Sequence, residues 1–181
     1  MLSAESFGEF KPVGEEDTFD LEYWSLEQAK LGSKKDPENA GKVVLVTGAG
    51  GTIGSEISKV FHKSGAEIVC IDQNIVTATE TAKLCGKNAL AIKCDLTSKE
   101  EIEKSFQKII LEFGGVDILI SNAGIALQGE LHNMDDEILK RSLNVNLLSH
   151  HYLSQQSLNI FKSQDYFNLK SNNLLGGQLL Y

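Results

Sequence analysis

The feature that most constrains the fold is a short apolar strand that runs directly into a glycine-rich turn and then a helix. Residues 43–47 read VVLVT, a wholly apolar run typical of parallel sheets that are covered on both faces. The turn TGAGGTIG spans residues 47–54, and Ile53, Ile57 and Phe61 then recur at helical spacing. This order of elements predicts the first unit of a doubly wound α/β domain.

Strand-like and helix-like segments alternate along the rest of the chain. The runs EIVCID, ALAIKCD and VDILIS predict three more strands, and GGQLLY predicts a fifth. Thr97 and Glu100 have the spacing of a capping box that opens one helix, and a longer helix is expected from about Asn133 to about Ser163. Such alternation implies right-handed parallel crossovers. We therefore expect an α/β fold with a Rossmann-like doubly wound parallel sheet, incomplete, with about five strands present.

The first forty residues differ in character from the rest of the chain. GEEDTFDLEYW is acidic and aromatic without a sustained period, and GSKKDPENAG is interrupted by glycine and proline. We interpret residues 1–40 as a lead-in and linker, and residues 41–181 as the N-terminal part of a dinucleotide-binding domain. The lead-in either packs on its own domain or forms a hinge to a further domain. Its segment LEYWSLEQAKL can form a short helix with apolar contacts at Leu21, Trp24, Leu26 and Leu31.

Charge and hydropathy argue against several functional classes. A formal net charge of -8 argues against nucleic acid or an anionic membrane as the main partner. No apolar run approaches the roughly twenty residues that span a bilayer. The start MLSAESFGEF lacks the basic and apolar regions of a secretory signal, so we expect a soluble cytoplasmic protein.

The cysteines and histidines give no metal or disulfide pattern. Cys70, Cys85 and Cys94 are odd in number and lack CxxC spacing, which favours buried small side chains in a reducing compartment. His150 and His151 are adjacent and so point to different helix faces, while the other two histidines are isolated. We expect helix-surface roles for the histidines and no metal site.

The glycine turn predicts a site for a pyrophosphate. In a doubly wound sheet the first turn directs backbone N–H groups and a helix N-terminus at the phosphates. We expect Gly48 to make the tight turn, Gly51 to permit close approach and Gly54 to let helix and strand pack. Thr52 and Ile53, at the start of the helix, belong to the same predicted site. The turn has no GK[ST] ending, so it is not the phosphate loop of an NTPase.

Acidic residues at the ends of two strands complete the predicted site. Asp72 closes the second strand, where a carboxylate accepts hydrogen bonds from the adenosine ribose hydroxyls. A carboxylate there also repels a 2′-phosphate, which favours NAD over NADP. Asp95, with Leu96 after it, ends the third strand and is expected beside the adenine.

The sequence SNAG at residues 121–124 is one of several motifs that together resemble those of a known family. Together with VLVTGAGGTIG, CDLT and LNVNLL, it makes the chain resemble the short-chain dehydrogenase/reductase family. The resemblance implies an NAD-dependent oxidoreductase that transfers a hydride between the nicotinamide and a small alcohol, aldehyde or carbonyl substrate. It also implies that Asn122, Ala123 and Gly124 line the cofactor trough. Asn146 matches the family's catalytic asparagine, which holds a water in the proton relay.

The turn departs from the compact members of that family. Thr52 stands at their middle glycine, and the resulting TGxxGxxG spacing is similar to that of the longer sugar-nucleotide epimerases and dehydratases, whereas SNAG favours the compact branch. A sugar-nucleotide enzyme and a non-catalytic dinucleotide-binding module remain as alternatives. The lead-in FDLEYWSLEQAKL resembles the junction in bacterial fusion proteins of a class II aldolase and a short-chain dehydrogenase, of the rhamnulose-phosphate aldolase/lactaldehyde dehydrogenase type. This implies a covalently linked aldolase domain upstream.

The stretch YFNLK places Tyr166 four residues before Lys170, which is the spacing of the family's catalytic pair. In the family that pair follows the fifth strand, whereas here it precedes GGQLLY. We therefore interpret it as a polar loop at the end of the sheet away from the nicotinamide. The catalytic Ser, Tyr and Lys are expected beyond Tyr181, and the chain alone is expected to show little or no turnover. A homo-oligomer that pairs through the long helix is also expected.

Overall fold

Five parallel strands form one sheet in the computed structural model, which describes residues 37–127, 129–171 and 178–180. The sheet order is β3-β2-β1-β4-β5, so β1 is central and the order reverses beside it. The predicted doubly wound parallel sheet is confirmed. Its strands are β1 (Val43–Thr47), β2 (Glu67–Asp72), β3 (Leu90–Lys93), β4 (Ile118–Ile120) and β5 (Gln178–Leu180).

Helices connect the strands, and the connection between β4 and β5 carries several helical elements. A short 3₁₀ turn at Leu131–Asn133 precedes α4, and a π-helical segment at Asn144–Leu148 joins α4 to α5. The helix between β2 and β3 was not foreseen in the sequence. The α-helices are α1 (Thr52–Lys63), α2 (Ile75–Leu84), α3 (Lys99–Phe113), α4 (Asp136–Leu143) and α5 (Ser149–Ser171).

Each face of the sheet has its own hydrophobic core, which explains why β1 is apolar throughout. Val44 and Val46 face the side covered by α1 and α2, whereas Val43 and Leu45 face the side covered by α3 and α5. Successive side chains of a strand point to opposite faces, so a strand covered on both sides needs apolar residues at every position. All five residues of β1 are buried.

The long helical connection departs from its predicted bounds. It begins at Asp136 and continues without a break through the π segment to Ser171, so the stretch YFNLK lies in α5 and the predicted polar loop was wrong. The sequence from Ser149 to Ser171 contains neither glycine nor proline, and nothing in it ends a helix. The α3 cap is also displaced by one residue, since the Ser98 hydroxyl, not that of Thr97, accepts from the Glu101 N–H at 3.3 Å.

Some predictions lie outside the described residues. These include the lead-in helix with Leu21, Trp24, Leu26 and Leu31, and Tyr181 at the end of β5. Within the described ranges, no helix has the length and apolar character needed to cross a bilayer.

The topology places the turn after β1 next to the segment after β4. Val46 pairs with Ile120 of β4 on one side and with Cys70 of β2 on the other. Because the crossovers to β2 and β4 lie on opposite faces, a crevice opens at the carboxyl ends of these strands, where doubly wound folds bind their ligands.

Candidate functional site

The glycines of the turn meet two different geometric demands. Gly48 has φ +65°, a left-handed conformation that side-chain-bearing residues rarely adopt, and a Cβ there would lie 2.9 Å from the Ala123 Cα. A Cβ on Gly54 would lie 2.2 Å from the Gly48 carbonyl oxygen. The helix and the turn therefore approach each other as closely as the backbone allows.

Gly50 is a glycine whose role the sequence did not reveal. A Cβ at this position would lie 2.1 Å from Thr77 Oγ1 and 2.8 Å from Thr77 Cβ, on helix α2. The Gly50 N–H donates to Asp72 Oδ2 at 2.9 Å. The outer side of the turn is thus fitted against α2 and the end of β2.

The N-terminus of α1 offers backbone donors with no side-chain cap. Its N-cap is Gly51, and the Ser55 N–H makes the first bond within the helix, to the Gly51 carbonyl. The N–H groups of Thr52, Ile53 and Gly54 therefore have no partner within the helix. Both Thr52 and Ile53 are exposed, Ile53 to 68%. The positive end of the helix dipole lies here, so the position favours an anion.

Asp72 uses both of its carboxylate oxygens to hold backbone. Oδ2 accepts from the Gly50 N–H and Oδ1 accepts from the Asn74 N–H, each at 2.9 Å. Asn74 in turn caps α2 by accepting from the Val76 N–H at 3.0 Å. The half-buried carboxylate therefore links the glycine turn to the start of α2 while it lines the crevice.

The end of β3 supplies the next wall of the crevice. Asp95 Oδ1 accepts from the N–H and the hydroxyl of Thr97 at 2.9 and 2.8 Å, which fixes the bend after the strand. Leu96 is buried, with 8% of its surface exposed, and presents an apolar contact beside Asp95.

The segment after β4 is bonded to the end of β1. Thr47 Oγ1 accepts from the N–H groups of Asn122 and Ala123, both at 3.1 Å. The Asn122 amide donates to the Thr47 carbonyl at 3.0 Å. These bonds keep Ala123 against Gly48, so the glycine turn and the start of this loop form one surface.

Asn146 lies in the π-helical segment and holds the same loop further on. Its Oδ1 accepts from the Ile125 N–H at 2.8 Å, and its Nδ2 donates to the Ile125 carbonyl at 2.8 Å and to Ser142 Oγ at 3.2 Å. The residue is exposed but well partnered. Single π turns inside α-helices are frequent at functional sites.

His150 has a role that the sequence did not reveal. Its Nδ1 lies 2.6 Å from the hydroxyl of buried Ser121, at the end of β4, and the ring is half-buried. The helix-surface role expected for this histidine was therefore wrong. The pair lines a second cavity of about 490 Å³ together with Asn146, Leu147, His151 and Ser154.

A cavity of about 500 Å³ brings together six of the residues nominated from sequence: Gly48, Asp72, Asp95, Leu96, Ala123 and Gly124. The other nominated residues of the turn, Gly51, Thr52, Ile53 and Gly54, lie at the start of α1, and Asn122 and Asn146 support the loop that forms its far wall. Helix α4 contributes residues that carried no sequence signal, because their pattern is that of an ordinary polar helix: Glu137, Lys140 and Arg141.

The YFNLK stretch lies away from this cavity, and the three cysteines are disfavoured as nucleophiles. Tyr166 follows Asn146 by about 30 Å of helix at ~1.5 Å per residue, so YFNLK is at the far end of α5. All three cysteines are buried, and burial raises the pKa of each thiol, that of Cys70 to about 12. Among the described residues, no group of three or more His, Cys, Asp or Glu side chains has the geometry to hold a metal ion.

Two family models match parts of the chain. The short chain dehydrogenase model matches residues 42–166, and the model of the second domain of class II aldolases matches residues 1–31. The chain is 35% identical over 159 residues to an uncharacterized oxidoreductase, YuxG, of Bacillus subtilis, covering 84% of this chain and 23% of the relative. It is 35% identical over 106 residues to a galactitol 2-dehydrogenase of Agrobacterium fabrum, covering 59% of this chain and 41% of the relative.

Solved structures show the same fold. A 3-ketoacyl-(acyl-carrier-protein) reductase from Brucella melitensis, complexed with NADH, has a TM-score of 0.66 and 31% identity, over 68% of this chain and 52% of that one. A xylitol dehydrogenase with bound NAD⁺ has a TM-score of 0.67 and 26% identity, over 70% of this chain and 50% of that one. The chain spans about half the length of these structures and less of the two sequence relatives. Since the dehydrogenase model matches more than half of its residues, the chain belongs to the short chain dehydrogenase family.

Proposed function

We propose that this chain binds NAD(H) and forms the cofactor-binding part of an NAD-dependent short-chain oxidoreductase. The observation that carries the proposal is the convergence of the glycine turn, Asp72 and the loop after β4 on one cavity of about 500 Å³. Residues 41–181 would form this part and residues 1–40 the lead-in. Both named structural neighbours are complexes with a nicotinamide cofactor.

The turn fits the pyrophosphate of a dinucleotide. The N–H groups of Thr52 and Ile53 are free of helical partners, and Gly51 adds no side chain between them and a ligand. A Cβ at Gly48 would close the space against Ala123. Backbone donors at a helix N-terminus without a steric barrier are what an anionic bridge requires.

The carboxylate of Asp72 supports NAD over NADP. It lines the cavity at the end of β2, where it can accept hydrogen bonds from the ribose hydroxyls. It would meet the 2′-phosphate of NADP as a like charge. Asp95 and Leu96 would flank the adenine, and Leu96 offers the apolar contact that a base needs.

The cofactor, when bound, would accept a hydride from a small alcohol or aldehyde as NAD⁺, or donate one to a carbonyl compound as NADH. Asn146 would hold the loop at Ile125 in place and take part in the proton relay. The Ser, Tyr and Lys that complete the acid–base work would lie beyond Tyr181. The names of the sequence and structural relatives, dehydrogenases and reductases, favour this function over that of a sugar-nucleotide epimerase.

The lead-in supports a link to a second activity. Residues 1–31 match the class II aldolase model, so we propose that an aldolase domain precedes the dehydrogenase in the complete polypeptide. Aldol cleavage yields an aldehyde, which is a substrate class suited to a dehydrogenase.

We also propose a cytoplasmic location and a homo-oligomer for this protein.

Binding of the cofactor tests the proposal directly. The 181-residue chain is titrated with NADH and with NADPH, followed by nicotinamide fluorescence, after circular dichroism has shown that it is folded. We expect saturable binding of NADH that is at least about tenfold tighter than that of NADPH. A folded chain that binds neither nucleotide would overturn the proposal.

Turnover separates the oxidoreductase from a non-catalytic binding module. The chain is compared with a version extended by the residues that its gene encodes beyond Tyr181. We expect NAD reduction with small alcohols or aldehydes from the extended version only. Binding without turnover in both versions would favour the non-catalytic module.

A further inference from the structure

Helix α2 contacts the glycine turn through a buried hydroxyl. Thr81 is 3% exposed, and its Oγ1 donates to the Ala49 carbonyl oxygen at 2.8 Å. The two residues are 32 positions apart, so the bond joins separate elements. Other hydroxyls of α2 bond within the helix region, as Thr79 does to the Ile75 carbonyl at 2.7 Å.

Ala49 is the point at which the chain leaves the sheet. Its N–H still donates to the Ile71 carbonyl of β2 at 3.1 Å, and the residue is fully buried. Its carbonyl therefore needs a donor from within the protein, since a buried acceptor without one is costly. Thr81 supplies that donor and thereby holds the carbonyl end of the peptide plane between Ala49 and Gly50.

The N–H end of this same peptide group is held as well. The Gly50 N–H donates to Asp72, and Gly50 fits against Thr77 with no room for a Cβ. From Gly50 only one residue, Gly51, separates this fixed backbone from Thr52 and the unpaired N–H groups of α1. A rotation of the Ala49–Gly50 peptide plane would redirect those donors.

We propose that Thr81 is a positioning residue for the phosphate-binding turn: its hydroxyl, acting through the Ala49 carbonyl, sets the direction of the backbone donors that receive the dinucleotide pyrophosphate. The inference rests on the proposed NAD(H) binding. Thr81 acts only through the turn, and the turn receives only the pyrophosphate. Its effect is therefore confined to ligands that carry a pyrophosphate.

Matched variants of α2 test this role. Thr81→Val keeps the shape of the side chain and removes the donor, Thr81→Ser keeps the donor, and Thr79→Val removes a hydroxyl of the same helix that does not touch the turn. Each 181-residue variant is titrated with NADH and ADP-ribose, and with adenosine followed by NMR. The measurements are made well below the thermal midpoint of every variant.

We expect Thr81→Val to weaken NADH and ADP-ribose binding by about tenfold and adenosine binding by less than about twofold. Thr81→Ser and Thr79→Val should bind all three within about threefold of the parent. If Thr81→Val does not fold, Thr81→Ala, which also removes the hydroxyl donor, is measured with the same expectation of a loss selective for pyrophosphate.

The outcomes separate the two proposals. If the parent binds NADH and the donor-free variant binds it equally well, or loses adenosine binding to the same extent, the positioning role is overturned while the proposed function stands. If the folded parent binds no NADH, both fail. A lowered thermal midpoint with unchanged affinities would assign Thr81 to stability alone and would also overturn the inference.

Discussion

Single polar side chains at this site hold backbone groups, and Asp72 also lines the cavity. Asp72 accepts from Gly50 and Asn74, and Thr47 accepts from two N–H groups of the segment after β4. Hydrogen bonds to a charged acceptor are stronger than those between neutral groups. A substitution at such a residue therefore changes the shape of the site as well as its charge.

The double role of Asp72 predicts that removing its charge does not convert the site to NADP. Asp72→Asn places amide hydrogens where one of the two backbone N–H groups now donates, and so loses at least one of these bonds. We expect NADH binding to weaken by about tenfold and NADPH binding to stay weaker than that of NADH to the parent. Fluorescence titration measures both, with Glu80→Gln as a charge-matched control. NADPH binding by Asp72→Asn as tight as the parent's NADH binding would contradict this role.

The bonds of Asn146 predict a local effect on the loop after β4. Asn146→Ala removes the acceptor of the Ile125 N–H and the donor to its carbonyl. We expect the Ile125 amide to exchange its hydrogen roughly fivefold faster or more, since one such bond contributes about 1 kcal/mol. Hydrogen exchange followed by NMR measures this. Asn144→Ala, in the same π segment, is the control, and unchanged exchange at Ile125 in Asn146→Ala would refute the prediction.

At the scale of single residues, the sequence identified candidate site residues but not the contacts that they make. Gly48, Gly54 and Asp72 stand out because their spacing follows from the strand–turn–helix pattern. The bonds of Thr81 and His150 join residues 32 and 29 positions apart. Threonine and histidine are common on helices, so nothing local distinguishes these two. Their roles emerge only once the fold brings the partners together.

At the scale of elements, the N-terminus of α1 is an uncapped helix end. Gly51 contributes no side chain to satisfy the first N–H groups, although a Ser, Thr, Asp or Asn at the N-cap would stabilise the helix. The other three α-helices that begin from a loop in the described residues follow that rule, with Asn74 on α2, Ser98 on α3 and Asp135 on α4. The exception therefore lies where an external anion would take the place of the cap.

This geometry predicts that proline at the first helical residue separates folding from binding. Thr52 is the first residue of α1, where a proline is tolerated because its missing N–H has no partner in the helix. The extended Gly51, with ψ 166°, also suits a following proline. We expect Thr52→Pro to keep a thermal midpoint close to the parent's and to lose about tenfold or more in NADH affinity.

Thr52→Ala is the control for the Thr52→Pro variant, because it removes the hydroxyl and keeps the N–H. We expect it to bind NADH within about threefold of the parent, as measured by the same fluorescence titration. Folded Thr52→Pro that binds NADH as tightly as Thr52→Ala would show that this N–H does not receive the ligand.

Elements with a strong apolar period were predictable, and those without one were not. Helix α2 has no such period, because its sequence IVTATETAKL consists largely of threonine and alanine and buries only small side chains. Helix α5 extends further than its apolar positions indicate, because the residues near Tyr166 are polar and polar composition alone does not stop a helix. What ends a helix is a glycine, a proline or a cap, and glycine and proline are absent from Ser149 to Ser171.

At the scale of the whole molecule, the continuous apolar strands made a sheet covered on both faces predictable. They did not determine the order of its strands. Continuous apolar strands indicate that helices cover both sides, and glycine after β1 marks the carboxyl edge as the ligand side. The order β3-β2-β1-β4-β5 depends on which strand pairs with the other side of β1, a choice made by packing between distant residues. The local sequence pattern does not carry that information, so no strand order was predicted.

The core beneath α1 and α2 predicts how stability changes at alkaline pH. Burial raises the pKa of the Cys70 thiol from 9.0 to about 12, with Cys85 adding to the shift. Because the folded-state pKa lies above the unfolded one, the neutral thiol contributes stability that is present below about pH 9. That contribution is lost between about pH 9 and 12, at roughly 1.4 kcal/mol per pH unit.

Urea unfolding at pH 8 and at pH 10 measures this loss. We expect the fall in unfolding free energy between the two pH values to be smaller in Cys70→Ala than in the parent, by about 1 kcal/mol. The cavity left by the substitution lowers stability equally at both pH values and so cancels. Ser58→Ala, next to Cys70 at 4.0 Å between Sγ and Oγ, keeps the thiol and should keep the parent's full fall. An equal fall in Cys70→Ala and the parent would mean that the thiol ionises as easily in the folded core as in the unfolded chain, which its complete burial argues against.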